Sequence, residues 1–178
     1  MDNLSTRLGQ QMSDLLSSEY EIRAMRLDEH PLLEDFLYEA IFVPVDFEGE
    51  VPRTILFDDP MRRAAFEGFG SRDDDIALVV TLDDKPIGAC WVRTINEYGH
   101  IDDRTPSFSI SLYETYRGKG IGTALITAML KELRNKGFER ASLSVQKENP
   151  AIRLCQRLGF EIIGDGADET EWLMLKDL

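Results

Sequence analysis

Cysteine is scarce: there are two in 178 residues, Cys90 and Cys155. Two thiols cannot make a disulfide framework, and they point to a reducing compartment. Long apolar runs are missing as well. The longest of note, Ile76–Val80, is strand length, and the opening MDNLSTRLGQQMSDLLSSE has neither an apolar core nor a basic leader. Basic charge is in deficit, with 20 Lys and Arg against 33 Asp and Glu and a net charge of −13. That balance argues against a nucleic-acid partner, which requires clustered cations, but it permits a cationic acceptor such as an amine and also suits solubility. The expectation is a soluble cytoplasmic protein with no nucleic-acid or membrane partner. A homodimer is compatible with all of this.

What is present is ordinary for a globular chain, with 43% hydrophobic and 30% charged residues. The length fits one domain able to bury about 70% of its unfolded surface. Residues 1–19 read as an extension or marginal helix, and 20–178 as the domain. Tyr20–Leu27 reads as a strand. Pro31 then opens a helix whose Leu33, Phe36, Leu37, Ala40 and Ile41 recur at helical spacing. Pro44–Phe57 is an acidic loop, and a short helix follows Asp59–Pro60. Ile76–Leu82 and Ile87–Ile95 form a hairpin around Asp83–Pro86, and Ser107–Tyr113 alternates as a strand. Gly122, Leu125, Ile126, Met129, Leu130 and Leu133 form a clean helical stripe closed by Gly137. Ala141–Val145, a helix from Asn149–Pro150 to Gly159, and strands Phe160–Ile163 and Glu171–Leu175 complete a mixed α/β layer.

The most informative segment is Leu112-Tyr113-Glu114-Thr115-Tyr116-Arg117-Gly118-Lys119-Gly120-Ile121-Gly122, a strand running through glycines into a helix. Unpaired N–H groups and the helix dipole favour an anion there, and glycines at 118, 120 and 122 let phosphate approach the backbone. Two nucleotide motifs fail on specifics. Lys119 is followed by Gly120 rather than Ser or Thr, and Thr123 stands where a dinucleotide fingerprint needs its third glycine. A ligand-free tight turn is the bland alternative.

The pattern Arg-x-x-Gly-x-Gly between strand and helix resembles the coenzyme A motif of the GNAT superfamily of N-acetyltransferases. Asn149-Pro150-Ala151-Ile152-Arg153-Leu154-Cys155-Gln156-Arg157-Leu158-Gly159-Phe160 is similar to that family's second signature, at matching spacing. The resemblance implies a GNAT-like single domain: a mostly antiparallel sheet of six to seven strands, flanked by helices and splayed at the cofactor slot. It implies acetyl-CoA as co-substrate, with no metal. The pyrophosphate would lie on Arg117, Gly118, Lys119, Gly120, Ile121, Gly122 and Thr123. Leu112 and Glu114 would offer main-chain groups to the pantetheine arm. Asn149 reads equally as a pantetheine contact and as a helix cap.

The implied reaction is attack of an amine on an acyl thioester, with a base for the ammonium proton, an N–H near Leu112 for the oxyanion, and an acid for the leaving thiolate. Cys155 stands where relatives often carry the acidic tyrosine. Its place on an apolar stripe favours packing over proton donation, which leaves Tyr113, Tyr116 or water as donors. The base is poorly marked. Glu97, Asp102, Asp103 and Glu114 are the available carboxylates, with His100 beside them, and each also fits a solvated surface charge. Glu114 is the most interesting of these, because relatives often have proline there. Trp91 and Arg93 are candidates to line the acceptor pocket, with core packing the commoner role for Trp91. The rival reading is a catalytically idle acyl-CoA-binding or sensing module.

Overall fold

The computed structural model describes residues 20–167 and 169–178; the extension 1–19 lies outside them. The order is β1 Tyr20–Ala24, α1 Leu32–Ala40, α2 Pro60–Ala64, β2 Ile76–Leu82, β3 Lys85–Arg93, β4 Ser107–Leu112, α3 Ile121–Asn135, β5 Arg140–Gln146, α4 Ile152–Arg157, β6 Glu161–Asp165 and β7 Glu171–Asp177. The strands make one seven-stranded sheet ordered β1-β2-β3-β4-β5-β7-β6. Every neighbouring pair is antiparallel except β4 and β5, which are parallel and joined at a single position, Ser107 opposite Ser142. This is the mixed α/β layer read from the sequence, splayed as the resemblance implied.

Several element ends differ from the sequence reading, among them β3, which stops at Arg93 short of Ile95, and two differences have a clear physical cause. The first strand ends at Ala24 instead of Leu27, because Leu27–Glu29 turns into a short 3-10 helix. The Glu29 carboxylate accepts the Arg26 N–H at 2.9 Å and is gripped by Arg23 at 2.7 Å and Arg26 at 2.9 Å. The hairpin turn is also tighter than expected. Asp83 and Asp84, with φ of 49° and 61°, make the reversal alone, so Lys85 and Pro86 belong to β3. Aspartate is among the few non-glycine residues that tolerate this region, and two such residues match the twist of a hairpin.

The alternation of the central strands builds two cores. On one face Ile76, Val80, Cys90, Val92 and Phe108 meet α3 through Leu125, Ile126, Met129 and Leu133. On the other, Ala77, Val79, Ala89 and Trp91 meet α1 through Leu33 and Phe36. The α3 stripe predicted from helical spacing is buried as expected, and each large apolar side chain contributes roughly 1.5–3 kcal/mol. That burial, which includes Ile121 in the first turn, secures α3 from its side without any side-chain cap at its N-terminus.

Candidate active site

Glycine chemistry shapes the entrance to α3. Gly118 and Gly120 hold φ of 73° and 83°, and a β-carbon on either would meet nothing within 4 Å. Gly120 is the N-cap in a left-handed conformation, and no side chain caps the helix. Its carbonyl accepts the Ala124 N–H at 3.1 Å. The amides of Ile121, Gly122 and Thr123 therefore precede the first intrahelical bond and point outward, as the first turn of any helix must leave them. The result is an open backbone cradle that fits an anionic pyrophosphate.

Arg117 serves this loop differently from the sequence expectation of a mobile rim charge. Its Nε donates to the Leu112 carbonyl at 2.8 Å, and its NH2 donates to the Glu39 carbonyl at 3.0 Å. The guanidinium thus braces the loop against β4 and α1. Lys119 extends over the Tyr116 ring, 5.7 Å from its centre. Asn149 caps locally, its Oδ1 accepting the Ala151 N–H at 2.9 Å.

Beyond the single β4–β5 bridge the strands part. The Tyr113 N–H bonds the Ile87 carbonyl at 3.0 Å, which fixes the odd-numbered residues of β4 as the ones bonded to β3. By alternation the backbone groups of Ile110 and Leu112 point toward β5, where no ladder continues. The Leu112 carbonyl is taken by Arg117, so what remains on that edge is the Leu112 N–H together with the Ile110 N–H and carbonyl.

A cavity of about 380 Å³ occupies the parting. Its walls include Leu37 and Ala40 of α1, Met61 and Arg62 of α2, Ile126 of α3 and Cys155 of α4. Because α1 and α3 cover opposite faces of the sheet, the cavity passes through the sheet plane. Phe108, Ser109 and Ile110 line it from β4, and Leu143 to Gln146 from β5, with Asn149 beyond them.

Of the carboxylates singled out from sequence, Glu97 alone reaches this cavity. It is 7% exposed, and its Oε1 accepts the Gly99 N–H at 3.3 Å. Burial pushes its carboxyl above the ordinary carboxylate range and the nearby Glu171 charge adds to the push, against Ser107, the Gly99 N–H and Arg93. Asp102 instead holds Arg140 at 2.7 Å, and Asp103 is exposed. Glu114 is exposed and lines a separate side pocket with Arg117, Tyr38 and Glu50. Tyr113 packs on Phe36 of α1, ring centres 5.3 Å apart, and burial raises its hydroxyl pKa. Two of the three catalytic candidates, Glu114 and Tyr113, therefore lie apart from the cavity that Cys155 lines.

The Cys155 thiol is 5% exposed and is pushed up to about 11 by burial. Such a thiol is a weaker acid than a free one and no nucleophile at neutral pH. Trp91 and Arg93 do not line the cavity either. Trp91 donates to the Ala65 carbonyl at 2.9 Å, while Arg93 grips Asp75 and the carbonyls of Ala64 and Glu67. Arg93 is thus a buried staple for the segment after α2.

Sequence reasoning missed Glu171. It opens β7, is 9% exposed, lines the cavity, and accepts hydrogen bonds from Ser144 Oγ at 2.6 Å and Gln146 Nε2 at 2.9 Å. The available signal was Ser144 and Gln146, polar residues alternating with Leu143 and Val145 on a strand otherwise built for a core.

Residues 12–160 match the family described as "Acetyltransferase (GNAT) family". The chain belongs to the GNAT acetyltransferase family. It is 41% identical over 68 residues to a mycothiol acetyltransferase of Corynebacterium aurimucosum, covering 35% of this chain and 22% of that protein. It is 35% identical over 104 residues to an uncharacterized N-acetyltransferase of Methanocaldococcus jannaschii, covering 54% and 43% respectively. The match therefore spans less than half the length of these curated relatives. In structure it is similar to the PaiA N-acetyltransferase of Thermoplasma acidophilum in complex with coenzyme A, at a TM-score of 0.66 and 18% identity over 90% of this chain and 99% of that one. No helix among the described residues is long and apolar enough to cross a membrane.

Proposed function

We propose that this GNAT chain is an acetyl-CoA-dependent N-acetyltransferase in which Glu97 takes the proton of the acceptor amine. The observation that carries the reading is the cavity itself. It crosses the sheet where β4 and β5 part and brings to the slot a buried carboxyl with no salt bridge among the described residues. The open cradle at Gly118–Thr123 fits the pyrophosphate of acetyl-CoA, whose thioester supplies the acetyl group. Acetyltransferase relatives and a coenzyme A-bound structural neighbour support the choice of cofactor.

The chain's own groups divide the remaining work. Glu97 accepts a proton from the acceptor ammonium, the freed nitrogen bonds to the acetyl carbon, and the carbon–sulfur bond breaks. The thiolate leaves as the nitrogen sheds its second proton to complete the amide, and that proton, relayed by water, neutralises the thiolate. The Ile110 and Leu112 N–H groups face the slot and are placed to donate to the developing oxyanion. A raised carboxyl pKa moves a base closer to neutrality, where proton transfer is most efficient.

The test is release of free thiol from acetyl-CoA across a panel of primary amines, comparing wild type with Glu97→Gln. Wild type should turn over at least one amine, and the variant should lose about 100-fold or more in kcat while binding acetyl-CoA normally. Binding without turnover by any amine would leave an acyl-CoA-binding module, and an unimpaired variant would remove Glu97 from the mechanism.

A further inference from the structure

The feature left unexplained by a single base is a second buried carboxyl beside it. Glu97 and Glu171 are 7% and 9% exposed and line the same cavity. Their closeness is structural. Gly99, two residues after Glu97, is seated so tightly on β5 that a β-carbon would stand 3.1 Å from both Leu143 Cα and Ser144 N. Ser144 in turn gives its hydroxyl to Glu171. Gly166 closes over the other side, where a β-carbon would lie 3.2 Å from Glu171 Oε2.

Neither carboxyl has a basic partner among the described residues. Arg93 is committed to Asp75 at 2.8 Å, and Arg62 lies 3.8 Å from Asp59. The other titratable groups on the cavity wall are Tyr98, whose hydroxyl donates to Asp59, and Glu148 and Cys155. Two like charges held out of water with no cation between them oppose folding unless a ligand completes the arrangement.

We propose that Glu171 is an acceptor-binding residue beside Glu97, so that the two carboxyl groups together receive the acceptor as an ammonium ion whose proton passes to Glu97. This rests on the acetyltransferase reading and narrows its acceptor to amines that are cationic at neutral pH and carry a small apolar body. The apolar body is accommodated by Leu37, Ala40, Ile41 and Met61 of the same cavity. Ser144 and Gln146 hold the Glu171 carboxyl still against the cavity wall.

The test uses the full chain and the variants Glu171→Gln, Glu171→Asp and Glu97→Gln. Benzylamine is the cationic probe, and aniline, neutral at pH 7, is the matched control. Calorimetry with CoA-loaded wild type should show benzylamine binding tighter than aniline, and Glu171→Gln should weaken benzylamine by about tenfold while leaving aniline unchanged. Carbon NMR titration, with the Glu97 carboxyl assigned by its loss in Glu97→Gln, should show its midpoint falling in Glu171→Gln and returning in Glu171→Asp. The melting temperature of Glu171→Gln should hold or rise, whereas a merely structural role would lower it.

Equal effects on both probes, no preference for benzylamine in wild type, or an unmoved Glu97 midpoint would overturn the proposal. These readouts need no turnover. Failure of the catalytic reading shows separately, as absence of thiol release by wild type or full activity in Glu97→Gln.

Discussion

Ser142 donates its hydroxyl to the Gly99 carbonyl at 2.7 Å, and this bond fastens the loop that carries Glu97 to the strand on the far side of the slot. The anchoring depends on Gly99 having no side chain. Gly99→Ala would drive a β-carbon into the Ser107 hydroxyl and the β5 backbone. The expected outcome is a stability loss of about 1–3 kcal/mol from overpacking. Amine turnover should fall at least tenfold, with acetyl-CoA affinity nearly unchanged because the cradle lies elsewhere. Urea melts and paired kinetic and binding assays check this, and equal loss of both affinities would show that the loop has no separate role.

Gly120→Val addresses the cradle. A β-carbon at this position meets no protein atom within 4 Å, but the left-handed backbone disfavours valine by roughly 1–2 kcal/mol. The buried stripe of α3 should keep the helix in place. Acetyl-CoA affinity should drop more than tenfold, equivalent to over ~1.4 kcal/mol, as read by calorimetry on samples whose circular dichroism matches wild type. A folded variant that binds normally would move the cradle away from Arg117–Thr123.

Thermal shift gives the ligand specificity. Acetyl-CoA should raise Tm, since a ligand selective for the folded state stabilises it, while ATP and NAD should do much less. Equal shifts from all three would count against a coenzyme A site.

Cys155→Ala should leave turnover within a few-fold of wild type. A thiol pushed up to about 11 does not share the proton traffic of neutral catalysis, and its main contribution is volume at the cavity wall. The cost should be a modest fall in stability, about 1–2 kcal/mol. A collapse of kcat in a well-folded variant would restore Cys155 as acid or nucleophile.

Glu29 gives a pH signature that belongs to folding alone. Its carboxyl is lowered from 4.5 to about 2, chiefly by the Arg23 hydrogen bonds, with the Arg26 N–H and both arginine charges assisting against burial. A depressed carboxyl stabilises the fold at pH above its unfolded value, and that contribution drains away as pH falls from 4.5 toward 2. Glu29→Gln should therefore cost about 2 kcal/mol at pH 7, allowing for screening at the protein's rim, and almost nothing near the lower limit. Chemical denaturation across that range is the check.

The parts legible in the sequence were those written locally. The α3 stripe and the glycines before it are patterns within one segment and appear where the spacing put them, whereas the helix read from Asn149–Pro150 begins only at Ile152, with Asn149 turning the chain ahead of it. The short loops were less legible. Asp83 and Asp84 make a two-residue turn that reads from sequence as four polar residues. The acceptor end of the site was hardest, because its side chains arrive from segments far apart in the chain. Glu97 looked like any loop carboxylate until Gly99 carried it into the slot, and Glu171 looked like a strand boundary. Arg93 shows the converse error, a charged strand residue whose partners, Asp75 and the carbonyls of Ala64 and Glu67 at and beyond the end of α2, are visible only in three dimensions.

Because one bridge joins β4 to β5, the sheet is two panels sharing a hinge, four strands on one side and three on the other. Hydrogen bonding gives the panels little reason to melt together. A molecule lying in the seam would act as a suture, adding hydrogen bonds where the panels are otherwise joined mainly by the apolar core they share with α3. Occupancy of the slot would then be written in amide exchange along β4 and β5, where protection should spread outward from Ser107 and Ser142 as the seam closes.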